Sequence, residues 1–550
     1  MRLNTEIQRL ISNGLTRQAV DTCTDWARKY RVMGKPIPGP WSSKYHPWTV
    51  GMQNSTAPTN VGMKSAQAAY TETCLNVALY NIDVKRNDVL YVLPNKTPDA
   101  SDFSSARFDS ALDLSPHLSE LFNDTKNIGH KRAGSANLYI RGSKSKSGLI
   151  SIPVACLFID EFDRMDQHAV ALAVERLSGQ FEKLIWEIST PTIPHFGIHK
   201  EFLTTTQEHF FFPCPRCSRQ TELIFPDCFE LVGESLTDPR ISESKIICKE
   251  CKGDLTKDKW AYLQAGDWQP SIEKYNGDRR GFHINQLYSS TIAPYDIATS
   301  MIKAETSKAE EQELYNSKMG LPHTVEGAQV TDSDLDSCYG NYPMLNVMKA
   351  DRLVTMGVDV GDWLHVEIDE WDFDDFGPDI NSNAVPRVVH ITKVRDFEAL
   401  DPLMKAFLVR GCVVDINPER RKAKEFADRF RGFVRLAHYS SGQASKAMVE
   451  KADHAIVEDY QLSVDRTSWL DLSLGRFVKS RISLPNNTPN EYRENVKALV
   501  RVTERDINDN PVGRYQNIGP DHYAHARNYA EIALPLAASV ATNSTIGDFL

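Results

Sequence analysis

Short apolar stretches alternate with amphipathic stretches from about residue 61 to about residue 200. An apolar stretch of strand length followed by a helical pattern is typical of a β-α-β unit, in which a helix connects two parallel strands. The pattern therefore predicts a mostly parallel sheet with crossover helices. The predicted strands are Val89–Leu93, Leu149–Pro153, Ala155–Ile159 and Lys183–Ser189.

The same alternation predicts a second α/β unit, which begins at Leu353 and continues to about residue 535. Here Leu353–Val360 and Gly411–Ile416 are apolar and of strand length, and Pro520–Tyr529 has the pattern of a helix. Further predicted segments are helices at 1–33 and 294–319 and a loose tail at 536–550.

Length and composition set limits on the kind of protein. The 550 residues exceed what one hydrophobic core accommodates, so two or three domains are expected. No apolar run approaches the roughly 18 residues of a membrane helix, and the first residues lack the apolar stretch of a signal peptide. These features predict a cytoplasmic protein without a membrane partner. The net charge of -10 argues against a protein that coats DNA passively, but not against an enzyme that grips DNA through local patches.

Two carboxylates end one predicted strand. Val154–Glu161 reads VACLFIDE, so Asp160 and Glu161 follow the apolar run directly. In P-loop ATPases an Asp at this place holds Mg²⁺ and a neighbouring group orients the attacking water, at the sheet edge where nucleotide binds. The alternative is an Asp-Glu turn that closes a buried strand. Ser189 and Thr190 end another predicted strand, where many ATPase motors place a nucleotide-sensing residue.

A phosphate-binding loop is predicted after residue 61, although the full GxxxxGK[ST] pattern is absent. A short strand leads into small residues and then into a helical stretch, and backbone N–H groups at a helix N-terminus favour phosphate. Lys64 is expected to reach the phosphates and the Thr71 hydroxyl to ligate Mg²⁺. Ser65 and Gln67 belong to the same predicted loop. The alternative is a solvated strand-to-helix loop without a ligand.

Four of the ten cysteines form two CxxC pairs, separated by about 30 residues. Paired CxxC knuckles are typical of a closed tetrahedral zinc site with a structural role. The long spacing predicts a looped-out hairpin between the pairs. The alternatives are a ribbon without metal and four unrelated thiols. The predicted zinc ligands are Cys214, Cys217, Cys248 and Cys251.

Three aspartates are spread over the second α/β pattern. Asp359 and Asp415 end predicted strands, and Asp521 stands near the start of a predicted helix. Two strand carboxylates and a helix carboxylate can converge on two divalent ions, which align a water and stabilise the leaving 3′-oxygen in phosphodiester cleavage. Each aspartate alone is more often a strand end or a helix cap.

The predicted helix near Asp521 carries further polar side chains. Asp521, His525 and Asn528 fall at i, i+4 and i+7, on one helix face. For His522 and His525, metal ligation, phosphate binding and a surface role all remain open.

The order of these motifs resembles that of terminase large subunits of the phage lambda A-protein type. The resemblance covers about residues 20–535 and rests on the shared order of the motifs. They are GPW at 39–41, MKSAQ at 63–67, IDEFDR at 159–164, STPT at 189–192, FPCPRC at 212–217, GFHINQLYSS at 281–290 and GVDV at 357–360.

The resemblance implies an α/β protein with a P-loop NTPase-type parallel-sheet domain and then an RNase H-like α/β nuclease domain, with a small zinc-ribbon insertion between them. By position, the family's phosphate-binding motif matches Lys64 and Thr71, its Walker B pair Asp160 and Glu161, its coupling motif Ser189 and Thr190, and its nuclease triad Asp359, Asp415 and Asp521. The implied domains are an adenine-side helical segment (1–50), the ATPase core (51–205), the zinc ribbon (206–270), the ATPase completion and linker (271–345), the nuclease (346–535) and the tail (536–550).

Two details of the nucleotide site follow from the resemblance. Many members have Gly-Lys where this chain has Ala69-Tyr70, which leaves Lys64 as the lysine near the loop. Tyr45 or Trp48 is expected to stack on adenine.

The implied function is ATP-driven translocation of viral double-stranded DNA into a procapsid, together with two-metal cutting of concatemeric DNA. The implied cofactors are ATP, Mg²⁺ (with Mn²⁺ as an alternative in the nuclease site) and structural Zn²⁺. The implied partners are a small terminase subunit, the portal protein and further copies of the chain in a ring. The expected location is the bacterial host cytoplasm and, transiently, the procapsid portal, but not the mature virion.

Two other functions fit part of the pattern. A transposase or recombinase also combines an RNase H-type triad with zinc knuckles, but it leaves VACLFIDE and STP without a role. A nucleotide-inactive assembly scaffold, in which the phosphate-binding loop has decayed, predicts that the protein does not bind nucleotide.

Overall fold

The computed structural model describes residues 20–122, 125–144, 149, 152–272, 278–348, 352–372, 380–440, 461–505 and 511–542. The chain divides into two compact units between Val325 and Glu326. The predicted boundary at 345/346 therefore lies inside the second unit. The reason is a helix, Asp332–Ser337, whose carboxylates Asp332 and Asp336 each lie 2.8 Å from the guanidinium of Arg493 in the same unit.

The first unit contains one large sheet and the helices that cover it. Its strands are β1 Val32–Met33, β2 Gly39–Pro40, β3 Thr59–Lys64, β4 Val89–Leu93, β5 Thr125–Asn127, β6 His130–Ala133, β7 Ala136–Gly142, β8 Cys156–Asp160, β9 Leu184–Ser189, β10 Glu208–Pro213, β11 Gln220–Thr221, β12 Phe229–Glu230, β13 Lys245–Ile246, β14 Asp267–Pro270 and β15 Arg279–Ile284. Its α-helices are α1 Cys23–Tyr30, α2 Thr49–Gln53, α3 Tyr70–Asp83, α4 Ser101–Phe103, α5 Ser110–Leu114, α6 Pro116–Leu121, α7 Gln167–Val174, α8 Gly197–Phe202, α9 Lys259–Tyr262, α10 Pro294–Ala304 and α11 Lys308–Glu313.

The centre of the large sheet is parallel, in the order β15-β3-β9-β8-β4-β7. Both faces of this sheet are buried. In β4, Val89, Tyr91 and Leu93 belong to one hydrophobic cluster while Leu90 and Val92 belong to another. Burial on both faces explains why the strands read as continuous apolar runs in the sequence.

The cysteine-rich segment grows out of this sheet. Strand β10 pairs in parallel with β15 and antiparallel with β14, so both ends of the predicted 206–270 insertion are strands of the main sheet. The inserted part therefore begins after Pro213 and ends before Asp267, and it contains a small two-stranded sheet of β12 and β13. The predicted hairpin between the two CxxC pairs corresponds to this small sheet.

The second unit is a mixed six-stranded sheet, β18-β17-β16-β19-β20-β21, with a separate hairpin. Its strands are β16 Leu353–Val360, β17 Leu364–Asp372, β18 Val385–Val394, β19 Gly411–Asp415, β20 Val434–Ser440, β21 Gln461–Asp465, β22 Leu499–Arg505 and β23 Pro511–Asn517. Its α-helices are α12 Asp332–Ser337, α13 Ile380–Asn383, α14 Leu400–Ala406, α15 Arg420–Arg429, α16 Arg466–Val478, α17 Asn490–Lys497 and α18 His522–Thr542.

Helix α18 lies directly on this sheet. A Cβ atom on Gly357 of β16 would come within 2.0 Å of the Ala526 carbonyl oxygen, and one on Gly411 of β19 within 2.6 Å of the Ala533 carbonyl oxygen. Only glycine permits so close an approach of helix and strand backbones. The two glycines therefore fix the start of α18 above the carboxyl ends of β16 and β19.

Several predicted segments differ from the structure. Leu149–Pro153 is not a described strand: Ile152 and Pro153 have no strand conformation, and residues 150 and 151 lie outside the described residues. The predicted tail at 536–550 is wrong in its first part, because α18 continues to Thr542 and Leu536 is buried. The predicted N-terminal helix corresponds to α1, and residues 1–19 of that prediction lie outside the described residues. Among the described helices, none has the length and apolar character of a membrane span.

Candidate functional site

The predicted phosphate-binding loop connects β3 to α3. Gln67 and Ala69 both have left-handed backbone conformations, with φ of 60° and 63°. A side chain makes this region costly by about 1–2 kcal/mol per residue. The loop is held from outside, since the Ala68 carbonyl accepts a hydrogen bond of 2.9 Å from Trp48 Nε1.

Lys64 ends β3 and points to the predicted Walker B pair. Its Nζ lies 2.8 Å from Glu161 Oε1 and 3.5 Å from Asp160 Oδ1, and its side chain is only 11% exposed. Burial alone would lower the pKa of Lys64, but the charges of Glu161 and Asp160 raise it above its ordinary value. The same contact keeps the pKa of Glu161 below its ordinary value although burial opposes this. Lys64 is thus a buried cation at the carboxyl edge of the sheet.

Thr71 and Asp160 form an oxygen pair suited to Mg²⁺. The Thr71 hydroxyl donates to Asp160 Oδ2 at 3.0 Å, and the buried Tyr91 hydroxyl donates to the same oxygen at 2.8 Å. Adjacent ligands of an octahedral Mg²⁺ with bonds of about 2.1 Å lie about 3 Å apart. The hydroxyl and the carboxylate therefore fit Mg²⁺ without a change of backbone.

Tyr70 does not face the predicted ligand. It is 1% exposed, and a Cβ atom on Gly62 of β3 would lie 2.6 Å from its ring. The aromatic ring packs against the strand, in space that glycine leaves open. Tyr70 therefore brings no charge to the predicted phosphate site, and Lys64 is the candidate to supply it.

The ends of β8 and β9 are tied together by Asp163, which the sequence analysis did not assign. Its carboxylate accepts hydrogen bonds from the Thr192 amide, the Thr192 hydroxyl and the Ile198 amide at 2.9, 2.8 and 2.6 Å. Its own amide donates to Ser189 Oγ at 3.1 Å. Burial raises the pKa of Asp163 to about 7 despite these bonds. The acidic residue after IDEF was the signal that could have found it.

The segment 314–323, which begins with the helical turn Leu314–Lys318, bridges the phosphate-binding loop and the predicted coupling motif. The Ser317 carbonyl accepts from the Ala66 amide at 2.7 Å, and Asn316 Nδ2 donates to the Thr192 carbonyl at 2.7 Å. In the coupling motif itself, Ser189 is buried and Thr190 is half-buried. These hydrogen bonds connect the phosphate-binding loop to the residues that follow β9, so a movement of the loop can be transmitted to them.

The adenine prediction is wrong for Trp48. Its side chain is 1% exposed and packs edge-on against Phe210 and Tyr288. The indole therefore supports the loop from the core and has no face left for a base. Tyr45 is half-buried, and its predicted role stays a prediction.

The four predicted zinc ligands come together. Their sulfur atoms all lie within 4.8 Å of one another, and the Sγ atoms of Cys214 and Cys251 are 4.0 Å apart. Four sulfurs around Zn²⁺ at about 2.3 Å are separated by about 3.8 Å. In each knuckle the residue after the second cysteine, Ser218 or Lys252, is left-handed and donates its amide back to the first cysteine's carbonyl. The site fits a tetrahedral zinc ion.

We expect one Zn²⁺ per chain in elemental analysis of the purified protein, and its loss in Cys248→Ser. Because structural zinc contributes folding energy outright, that variant should also become sensitive to proteolysis within the insertion. Cys228→Ala is the matched control, since Cys228 is buried in the same insertion but lies outside the four-sulfur cluster. Wild-type protein that is folded and free of zinc would refute the assignment.

In the second unit, Asp359 and Asp415 stand side by side. Strands β16 and β19 are parallel and pair at Val358 and Val414, one position before each aspartate. The residues next to each aspartate along its strand belong to a hydrophobic cluster on the other face of the sheet. Both carboxylates therefore lie on the face covered by α18. Burial and the charge of Asp359 raise the pKa of Asp415. Two adjacent carboxylates that repel one another fit a divalent cation.

Asp521 immediately precedes α18 and joins a chain of polar contacts. His525 Nε2 lies 3.3 Å from Asp521 Oδ2, and His525 Nδ1 lies 2.8 Å from the Tyr439 hydroxyl. Asn528 Nδ2 donates to the same hydroxyl at 3.1 Å. Burial opposes ionisation, yet the contact with His525 holds the pKa of Asp521 below its ordinary value. The predicted helix face thus orients Asp521 through His525 and Tyr439.

A third histidine near the aspartates, His365, was not predicted. His365 of β17 pairs with Asp359 across the antiparallel ladder, and His522, the first residue of α18, contacts Asp359. The signal for His365 was present in the sequence. Gly361–Trp363 is the short connection between β16 and β17, and a hairpin centred there places Asp359 and His365 opposite each other.

Farther along the same face, a buried ion network joins β17 to α18. Arg527 contacts the carboxylates of Glu367, at 2.7 Å, and of Asp369 and Glu531, and all four side chains are fully buried. Arg476 also binds Glu531 at 2.7 Å. Burial and the charge of Asp369 raise the pKa of Glu367 to about 8. The network holds α18 against the sheet.

We expect Arg527→Ala to destabilise the second unit by about 3–5 kcal/mol, because it leaves buried carboxylates without their counterion. Urea denaturation followed by circular dichroism measures this loss. The control is Arg421→Ala, which breaks an exposed ion pair with Glu425 and should cost no more than about 1 kcal/mol. Equal losses in the two variants would show that the buried network does not stabilise the unit.

Comparisons with known proteins identify two domain families along the chain. The family model described as phage terminase large subunit gpA, ATPase domain, matches residues 35–268, and the model described as terminase large subunit gpA, endonuclease domain, matches residues 279–406. Together they match about two thirds of the chain. The second match begins within the first structural unit, at β15. No curated protein matches the chain significantly.

Solved structures that align with the chain include three phage proteins. The large terminase of bacteriophage HK97 is 12% identical over 93% of this chain and 98% of its own, with a TM-score of 0.46. The large terminase of the thermophilic bacteriophage D6E is 13% identical over 89% and 98%, with a TM-score of 0.31. The large terminase nuclease of the thermophilic phage G20c is 14% identical over 37% and 97%, with a TM-score of 0.23.

Proposed function

The chain belongs to the gpA family of phage terminase large subunits, with an ATPase domain and an endonuclease domain, and from this premise we propose which residues carry each activity. The recombinase interpretation is wrong, because it has no place for the ATPase domain. The inactive-scaffold interpretation predicts no nucleotide binding, and in this proposal Lys64, beside Asp160 and Glu161, keeps the loop able to bind phosphate.

For ATP hydrolysis, we assign phosphate binding to the loop from Lys64 to Thr71, including Ser65 and Gln67. The observation that carries this is the contact of Lys64 with Asp160 and Glu161 at one sheet edge, 3.5 and 2.8 Å apart. Lys64 supplies positive charge to the phosphates. Thr71 and Asp160 hold Mg²⁺, which, when bound, neutralises phosphate charge.

Glu161 is the group that orients the attacking water in this proposal. Its backbone is left-handed, with φ of 64°, and its carboxylate is partly exposed at the sheet edge. When ATP binds, Lys64 transfers its contact from Glu161 to phosphate, and the carboxylate is then free to accept a proton from water. Ser189 and Thr190 sense this change through Asp163 and the 314–323 segment.

For DNA cleavage, we assign metal binding to Asp359, Asp415 and Asp521. Divalent ions held there supply an activated water and stabilise the leaving 3′-oxygen. The chain's own contribution is geometric: His525 and Tyr439 orient Asp521 at the start of α18. The register of β16 and β19 holds the two strand carboxylates side by side.

The family function places these activities in genome packaging. We propose that the ATPase drives viral double-stranded DNA into a procapsid, with a small terminase subunit for DNA recognition and a ring of chains on the portal. The protein would then act in the cytoplasm of the bacterial host and, transiently, at the portal, and be absent from the mature virion. Zn²⁺ at the four cysteines has a structural role in this proposal.

A reconstituted packaging reaction tests the proposal. Purified chain, small subunit, procapsids, ATP and DNA are mixed, and DNA inside capsids is measured as resistance to DNase. We expect protection that requires ATP hydrolysis and is absent in Lys64→Ala. Asp415→Asn should package linear DNA with a preformed end but not covalently closed circles. Protection without ATP, or failure of Asp415→Asn on linear DNA, would contradict the assignment of the two sites.

A further inference from the structure

Positive charge is concentrated in the segment that follows Asp415. Residues 419–431 contain six lysine and arginine side chains and three carboxylates, although the whole chain has a net charge of -10. On α15, the side chains of Arg420, Lys422 and Lys424 are exposed, and none of them forms an ion pair with a described residue. A cluster of free cations on an acidic chain is typical of a surface that binds an anionic polymer.

The stability of α15 does not explain these free cations. Two other cations of the segment have carboxylate partners, since Arg421 lies 3.4 Å from Glu425 and Arg429 lies 2.8 Å from Asp401. The first turn of the helix contains no acidic residue, and Glu419, which precedes it, makes no capping hydrogen bond. Positive charge at a helix N-terminus opposes the helix dipole and lowers stability. An external anion would relieve this unfavourable arrangement.

The free cations of α15 lie at the sheet edge that carries the nuclease carboxylates. The helix follows β19, and its buried residues Phe426 and Ala427 pack in the hydrophobic cluster on the face opposite α18. Arg420 follows Asp415 by five positions, so their Cα atoms are at most about 18 Å apart. Duplex DNA carries about ten phosphates over such a length. DNA that reaches Asp415 therefore also reaches the start of α15.

A fourth free cation lies on the other side of the carboxylates. Strands β18 and β16 are both paired with β17, and the ladder aligns Lys393 with His365 and His365 with Asp359. Arg395 follows two positions later, at a lateral distance of two strand spacings, or about 10 Å, from β16. Its guanidinium carbon lies 4.7 Å from the centroid of the Trp363 ring. Arg395 is exposed and has no ion-pair partner in the described part of the chain.

The contact with Trp363 prepares Arg395 for a phosphate. A guanidinium that lies over an aromatic ring is held in place, while its N–H groups stay available for hydrogen bonds. The neighbouring Lys393 is already engaged, because its Nζ lies 2.8 Å from Glu491. Arg395 is therefore the cation of this side that can bind DNA without first losing a carboxylate partner.

We propose that Arg395, Arg420, Lys422 and Lys424, here called the basic rim, bind the phosphate backbone of double-stranded DNA on both sides of the phosphate that is cut. Phosphate contacts of this kind position a protein on DNA without reading its sequence. The inference rests on the proposed nuclease, since the basic rim lies on both sides of its carboxylates. That position favours DNA over an acidic protein segment as the occupant. The basic rim positions the substrate and takes no part in bond breaking.

The triple variant Arg420→Gln/Lys422→Gln/Lys424→Gln tests the proposal through plasmid cleavage by the full-length protein, with Mn²⁺ and without nucleotide. We expect KM for DNA to rise at least about tenfold, because binding that is independent of sequence comes from phosphate contacts. The value of kcat should change by less than about twofold, since these contacts position the DNA and are distant from the chemistry. A variant with unchanged KM would overturn the basic rim.

The salt dependence of cleavage gives a readout that a structural role would not change. The logarithm of DNA affinity falls linearly with the logarithm of salt concentration, with a slope of about 0.9 per phosphate contact. At constant Mn²⁺, the slope for kcat/KM should therefore become less steep by about 2.7 in the triple variant and by about 0.9 in Arg395→Gln. Wild-type slopes in both variants would contradict the proposal and leave the surface to another anionic partner, such as an acidic protein segment.

The matched control is Lys405→Gln/Arg410→Gln/Arg431→Gln. It removes the same charge from exposed residues of the same unit. Arg410 and Arg431 precede β19 and β20, so they lie toward the opposite edge of the sheet from the carboxylates. This control should keep the wild-type KM and the wild-type salt slope. If it changes both as much as the triple variant does, the effect is one of net charge and the basic rim is refuted.

DNA binding separates this inference from the proposed nuclease. Fluorescence anisotropy of a labelled DNA duplex is measured with Asp415→Asn protein, with and without the triple substitution on α15. We expect the substitution to weaken binding and to make its salt dependence less steep. If it does so while Asp415→Asn still cuts plasmid, the nuclease assignment fails and the basic rim stands. If Asp415→Asn no longer cuts and the substitution leaves binding unchanged, the nuclease stands and the basic rim fails.

Discussion

DNA cleavage is expected to fall by at least about 10³-fold in each of three variants, Asp359→Ala, Asp415→Ala and Asp521→Ala. This is a loss of about 4 kcal/mol of transition-state stabilisation. ATP hydrolysis should stay near the wild-type rate. The carboxylates hold adjacent cations against their mutual repulsion, so the loss of one collapses the site. Burial, together with the charge of Asp359, raises the pKa of Asp415. Linearisation of supercoiled plasmid with Mn²⁺ measures cleavage, and phosphate release measures hydrolysis.

The control for these variants is Asp401→Ala. Asp401 is an aspartate of the same unit whose partner is Arg429 at 2.8 Å, away from the sheet edge. It should cut DNA at the wild-type rate. If one of the three variants also does so, that residue has been assigned wrongly. If all three unfold, aspartate-to-asparagine substitutions, which keep the side-chain shape, replace them in the same assay.

Lys64→Ala is expected to lower ATP turnover by roughly 10²–10³-fold, the effect of removing one preorganised charge from a transition state. Tyr70 is neutral and buried, and so gives no compensation. Glu161→Gln should lower turnover by roughly 10²–10⁴-fold, the usual contribution of general base catalysis, and should keep ATP binding. The first variant removes a phosphate contact, whereas the second removes only the group that orients water.

Fluorescent-nucleotide titration separates these two effects. Lys64→Ala should bind ATP more weakly, and Glu161→Gln should bind it at least as tightly as the wild type, because the Glu161 carboxylate no longer competes for Lys64. Lys200→Ala, an exposed lysine of α8, is the matched control for lost charge. Normal DNA-stimulated hydrolysis in Lys64→Ala would mean that another basic residue serves the phosphates.

The central strands were predictable because both of their faces are buried. Val89–Leu93 was predicted with the bounds that the structure has, since a strand covered on two sides is apolar throughout. The strand that begins at Leu353 was predicted to end around Asp359 and ends one residue later, at Val360. Strands β5 to β7 were not predicted, because their residues are polar or alternate between exposed and buried positions. The end of α18 was missed because its last turns, rich in alanine, resemble a loose tail in composition.

The sites were predictable where a side chain directly follows a parallel strand. Lys64 and Asp160 meet because the strands that carry them end at the same edge of one sheet. Residues that act through tertiary contacts were not predictable in this way. Trp48 looks like a base-stacking residue in the sequence, but packing against Phe210 and Tyr288 buries it. Which aromatic side chain faces a ligand depends on neighbours about 160 residues or more away.

Two separate active sites on one chain are the central claim, and a single reaction tests it most directly. Wild type, Lys64→Ala and Asp415→Asn are each incubated with ATP, Mn²⁺ and supercoiled plasmid, and phosphate release and plasmid linearisation are followed in the same tube. We predict that Lys64→Ala loses only phosphate release and that Asp415→Asn loses only linearisation. A folded variant that loses both activities, or a pair of variants that loses neither, would contradict the account.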